Sequence, residues 1–139
     1  MLELSCGTVP FKIKDNTVYY LLIEGKPFGY VGFPKGHMEA GETEEETAIR
    51  ETYEETSITA NIIDGFKGHT HYRLSNGNEK KVVYFLCDFS GQTPKHNESF
   101  EDFYYHIKPF DKAYSALRFE SDRAVLKAAD EYIRKNILK

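Results

Sequence analysis

The chain has 139 residues, 18 of them basic and 22 acidic, for a formal net charge of −4. That length suits one domain with one core, and 40% hydrophobic with 29% charged residues excludes a disordered tail. The small acidic excess excludes a polycation that meets nucleic acid or anionic lipid through bulk charge.

In chain order, alternating and β-branched or aromatic residues predict strands over 4–13 and 18–24, with Asp15-Asn16 turning between them as a hairpin. Gly25, Pro27, Gly29, Gly32, Pro34 and Gly36 then break regular structure, leaving a loop with a short strand at 30–33. Thr43 followed by Glu46 has the capping-box spacing, so a helix is predicted over 44–56, with acids in its first turn. Extended segments follow at 58–63 and 68–74, and Asn76-Gly77 joins the second to a strand at 80–89. After a polar loop over 90–99 come a strand at 103–107 and a short helix at 110–117. The last helix is predicted from a Ser121 cap, with Val125, Ala128, Ala129, Tyr132 and Ile133 on its buried face.

The longest apolar runs, 19–23 and 82–87, are far shorter than the roughly 20 residues that cross a bilayer. The start MLELSCGTVPFK lacks the pattern of a secretory signal, and Cys6 and Cys87 read as buried reduced thiols. A cytoplasmic protein of one domain over 1–139, with no membrane partner, is expected.

The charge is unevenly spread. Residues 39–55 hold eight glutamates and one base, Arg50, for −7, while the rest of the chain carries +3. On the predicted helix, Glu51, Glu54 and Glu55 stand at i, i+3 and i+4 and share one side. Such like-charge pairs each cost about 0.2–0.5 kcal/mol, which a divalent cation reverses, and carboxylate oxygens suit a hard ion such as Mg²⁺. Arg50 can reach both Glu54 and Glu42. The glycine-rich loop Gly36-His37-Met38-Glu39-Ala40-Gly41 leads directly into this helix, and such a loop lets backbone approach a metal or phosphate closely.

The segment from Gly36 to Ile58, GHMEAGETEEETAIRETYEETSI, resembles the Nudix box. Gly36, Glu42, Arg50, Glu51, Glu54, Glu55 and Ile58 stand at the spacing of that motif. Two positions depart: Thr52 replaces an aliphatic residue, and Ser57 replaces the closing glycine and must end the helix in a left-handed conformation. The resemblance implies an α+β Nudix fold, a mixed β-sheet sandwiched between helices, and hydrolysis of a nucleoside diphosphate linked to a further group. It implies Mg²⁺ or Mn²⁺ held by Glu54 and Glu55, with Glu51 as a ligand or water-orienting base and a carbonyl of Lys35 or Gly36 in the shell. Glu42 and Arg50 become a brace between loop and helix. Glu101, with Glu98 as its rival, is the candidate for a further acid from a later loop.

Outside the box, FPKGHMEAGE, Gly65-Phe66 and the KKVVYF strand are similar to the asymmetric diadenosine tetraphosphate hydrolases, although Val31 stands where relatives often carry tryptophan. The implied substrate is a nucleotide or dinucleoside polyphosphate. Lys35, His37, Arg73, Lys80 and Lys81 are candidate phosphate contacts, and Tyr72 and Tyr84 candidate base-stacking rings. His69, His71 and His106 lack the partners of a zinc set. The alternatives are other Nudix specificities, namely an oxidised nucleoside triphosphate, ADP-ribose or a 5′-triphosphate RNA end, or a domain that senses nucleotides without cutting them. A capped or triphosphate RNA end is the one nucleic-acid partner kept open, and the oligomeric state is not legible.

Overall fold

The computed structural model describes residues 1–27 and 29–138; Phe28, in the predicted glycine-rich loop, lies outside them. Two long strands, β1 (Leu2–Lys14) and β2 (Thr17–Gly25), form the expected hairpin, with Asp15 and Asn16 both at positive φ. Short strands β3 (Val31–Gly32) and β4 (Lys35–His37) follow, then α1 (Glu44–Thr56). Strands β5 (Ile62–Arg73), β6 (Glu79–Asp88) and β7 (Phe103–Pro109) lead to helices α2 (Phe110–Ala116) and α3 (Glu120–Asn136).

The seven strands form one sheet in the order β3-β2-β1-β6-β5, with β4 added to β1 and β7 to β2. Among the described residues, β1 and β6 pair in parallel and the other pairs are antiparallel, so the sheet is mixed. Helix α1 covers one face through Ala48 against Cys6, Val83 and Phe85. Helices α2 and α3 cover the other, where Val9, Phe11, Tyr20, Leu22 and Leu86 meet Ala113, Leu126 and Ile133. This is the expected α+β arrangement of helices about a mixed sheet. Among the described residues, no helix is long and apolar enough to cross a membrane.

Two predicted boundaries and one buried-face residue shift. The segments at 58–63 and 68–74 are one strand from Ile62, broken in register between Ile63 and Lys67, where Gly65 at φ +106° lets the backbone detour before pairing resumes. The α3 cap is Phe119, not Ser121: its carbonyl accepts from Asp122 N and Arg123 N at 3.1 Å each, and Ser121 lies inside the helix. On that helix Ala128 is exposed and Leu126 takes its place in the core.

Helix α1 has the predicted ends. Thr43 Oγ1 accepts from Glu46 N at 3.1 Å while Glu46 Oε1 accepts from Thr43 N at 2.8 Å. Ser57 closes the helix at φ 63°, its N–H donating to Tyr53 O. The buried face is built of threonines, and this accounts for Thr52: its hydroxyl lies 2.8 Å from Thr8 Oγ1, so the polar atom in an otherwise aliphatic position is satisfied.

Candidate active site

Beyond their hairpin turn β1 and β2 separate. The outer half of β2 takes β3 as partner, and β1 takes β4. Bringing β4 onto β1 demands close contact at Gly7, where any Cβ would collide with Pro34 O and with Lys35. The gap between the strands opens into a cavity of about 630 Å³. Lys35, Glu55 and Glu101 share its wall with Tyr30, Tyr72 and Phe119.

Of the three acids that share a side of α1, Glu51 and Glu54 meet on Arg50 together with Glu42 from the loop. Arg50, 22% exposed, holds them: Nε donates to Glu42 Oε2 at 2.6 Å, Nη1 to Glu51 Oε1 at 2.9 Å and to Glu54 Oε2 at 3.2 Å, and Nη2 to Glu42 Oε1 at 3.0 Å and His37 O at 2.9 Å. Glu42 and Arg50 thus form the expected brace between loop and helix. The guanidinium, with help from the Glu39 N–H, holds the Glu42 carboxyl down at about 2.

Glu55 turns away from that network. Burial pushes its carboxyl up to about 8, against an opposing hydrogen bond from Lys35 N at 2.9 Å, and the charges of Glu51 and Glu101 push it further up. Burial also raises Glu51, partly offset by Arg50. The Glu51 carboxylate sits directly over Gly36, where any Cβ would collide with it. A bare backbone cradle, three carboxylates within one turn and hard oxygen donors all suit a divalent cation. In the arrangement described, Arg50 occupies the space between Glu51 and Glu54, and no three acidic, histidine or cysteine side chains among the described residues converge as a ready-made ion site.

The other predicted residues divide. Lys35, Tyr72 and Glu101 reach the cavity wall, and Glu98 does not. His37 lies on β4 just beyond the wall, its Nε2 3.0 Å from Lys80 Nζ and 3.6 Å from Glu3. Lys81 is corrected. It pairs with Leu4 and faces the α1 side, while its neighbour Lys80, 6% exposed, lies on the cavity side of β6; burial and the Lys35 charge push its amine down. Tyr84 is corrected as a stacking ring. It lines the cavity but is 1% exposed, packed edge-on against Phe33 at 5.5 Å, so neither face is free for a base. Arg73 is tied to the β5–β6 turn through Gly77 O. His71 Nε2 lies 3.6 Å from Glu79 Oε1, and His106 Nε2 lies 3.0 Å from Glu24 Oε1.

Sequence reasoning missed Tyr30, Phe119 and Asp122 on the cavity wall. Tyr30 and Phe119 meet edge to face at 5.4 Å, with the Arg118 guanidinium stacked on both. Two partly exposed aromatics beside an arginine was the available signal, hidden because the two segments are far apart in the chain.

The sequence model of the NUDIX domain matches residues 8–128. The asymmetrical bis(5′-nucleosyl)-tetraphosphatase of Rattus norvegicus is 29% identical over 139 residues, covering 93% of this chain and 94% of the relative. An 8-oxo-(d)GTP phosphatase of Mycolicibacterium smegmatis is 31% identical over 111 residues, 80% of this chain and 33% of that protein. Among solved structures, a C. elegans Ap4A hydrolase binary complex aligns with a TM-score of 0.86 at 22% identity, covering 96% of this chain and 98% of the other. By the match over most of its length, the box residues and the fold they occupy, the chain belongs to the Nudix family of hydrolases, enzymes that act on phosphoanhydride bonds.

Proposed function

We propose that the chain hydrolyses dinucleoside polyphosphates with Mg²⁺ or Mn²⁺, cutting diadenosine tetraphosphate to ATP and AMP, as one domain over 1–139 in the cytoplasm. The observation that carries this reading is one cavity whose wall holds Lys35, Glu55 and Glu101 together with the exposed rings of Tyr30, Tyr72 and Phe119. Lys35 suits phosphate, the acids suit a cation that would neutralise it, and the rings suit bases. The similarity to tetraphosphatases over nearly the full chain supports it. Both cysteines are buried free thiols, which suits a reducing compartment.

In this reading Glu54 and Glu55 hold the ion with a backbone carbonyl at Gly36, and Glu51 holds it or orients the attacking water. When bound, the ion neutralises phosphate oxygens and lowers the cost of deprotonating water. Arg50 keeps Glu42, the loop and the acids in fixed relation. Lys35, with Lys80 and His37 farther along the same sheet face, draws the polyphosphate chain along β4 and β6. Glu101, beside Glu55, accepts a proton as water attacks. Tyr72, Tyr30 and Phe119 stack on the adenine.

The similarity to an 8-oxo-(d)GTP phosphatase favours a second reading, cleavage of oxidised nucleoside triphosphates. Chromatographic product analysis over dinucleoside polyphosphates, nucleoside triphosphates, ADP-ribose and 5′-triphosphate RNA separates the two. Higher kcat/KM on a mononucleoside triphosphate overturns the first. Glu55→Gln is expected to lower kcat about a thousandfold or more while nucleotide affinity stays within a few-fold; no turnover of any pyrophosphate by the wild type leaves only nucleotide sensing.

A further inference from the structure

Asp122 has no part in the reaction described above, yet it lies on the cavity wall in the first turn of α3. It is 9% exposed and forms no ion pair among the described residues. A buried carboxyl without a cation is costly unless its oxygens find donors. The groups around it are the Tyr84 hydroxyl from β6, the Lys35 ammonium from β4 and the Tyr72 phenol from β5. Burial raises the Asp122 carboxyl, and Lys35 and the Tyr84 hydroxyl oppose that rise. One carboxyl oxygen, Oδ2, lies beside Gly32 of β3, 3.6 Å from where a Cβ would stand, and both residues line the cavity.

What a carboxyl oxygen offers in either protonation state is an acceptor for an N–H group. The partly exposed ring of Tyr72 lies close enough to Asp122 to feel its charge, and Phe119, three residues before it, also lines the cavity. A flat base stacked on such a ring presents its edge, not its face, to the neighbouring side chains.

We propose that Asp122 is a specificity-determining residue whose carboxyl accepts a hydrogen bond from the exocyclic amino group of adenine. This rests on the nucleotide reading above and adds to it the atom by which the base is read.

The test is calorimetric titration of the full chain, in Mg²⁺ buffer, with two non-hydrolysable α,β-methylene triphosphates, one of adenosine and one of purine riboside, which lacks the 6-amino group. The wild type is expected to bind the adenosine compound about tenfold to a hundredfold more tightly. Asp122→Leu, and Asp122→Ala as a second variant, are expected to bring that ratio to about one while thermal melts show a folded protein. If Asp122 serves only to hold Tyr84, both ligands weaken together and the ratio persists. A persisting ratio, or a wild-type ratio near one, overturns the proposal. Turnover of the substrate panel judges the proposed reaction separately, because the binding ratio needs no hydrolysis.

Discussion

Glu55 carries the largest electrostatic burden among the box acids. Its carboxyl sits at about 8 when folded against an ordinary 4.5, so the folded protein keeps a proton that the unfolded chain has released across that window. The contribution of Glu55 to the stability of the metal-free protein is therefore fully present below about pH 4.5 and is lost as pH rises toward 8, with Glu51 contributing in the same direction. Glu42, held low, works the other way, but only between about pH 2 and 4.5. Because an ion competes with that proton, the rise in melting temperature on adding Mg²⁺ should be larger at pH 8 than at pH 5; a rise independent of pH would separate Glu55 from the ion. Gly36→Ala tests the cradle. A methyl there drives into the Glu51 carboxylate, and we expect turnover to fall about a hundredfold and stability by about 1–3 kcal/mol, read by kinetics and urea unfolding.

Among the elements, α1 was legible to the residue because its signals are local: a capping box, a carboxylate face and a stop. Its stop, Ser57, combines a left-handed backbone, costing about 1–2 kcal/mol without glycine, with an Oγ donation to Lys95 O at 3.0 Å that returns about 1 kcal/mol. The two nearly cancel for Ser57→Gly, which should be close to neutral. Ser57→Ala keeps the strain and loses the bond, and should cost about 1 kcal/mol by urea unfolding. The start of α3 was not legible. Local chemistry favours Ser121, but Phe119 is anchored from outside the helix by Tyr30 and Arg118, and Arg118 N donates to Val31 O. The joining of the segments at 58–63 and 68–74 was not legible for a similar reason: it depends on pairing with β6, which resumes at Lys67 after a detour that Gly65, at positive φ, permits.

Across the whole molecule, alternation showed which side chains share a face but not which strands adjoin. Alternation puts Lys80 and Lys81 on opposite faces, and only the register of β6 on β1 says which of them faces the cavity. The box acids were found because seven residues lie within one short segment; Asp122, Phe119 and Tyr30 were missed because the cavity gathers them from distant segments. The sheet and α3 are joined by a polar link as well as by apolar packing: the buried Tyr20 hydroxyl donates to Asp130 Oδ1 at 2.5 Å, and Arg134 Nε donates to Oδ2 at 2.7 Å. Tyr20→Phe should cost about 2 kcal/mol in urea unfolding, since the bond ends on a carboxylate held among buried groups. The parallel pairing of β1 with β6 also bears on how the chain is made. β1 leaves the ribosome well before its partner, which begins only at Glu79, so the central strand of the finished sheet spends most of synthesis with one hydrogen-bonding edge bare. Nascent chains halted before β6 should accordingly recruit chaperones, and those halted after it should not.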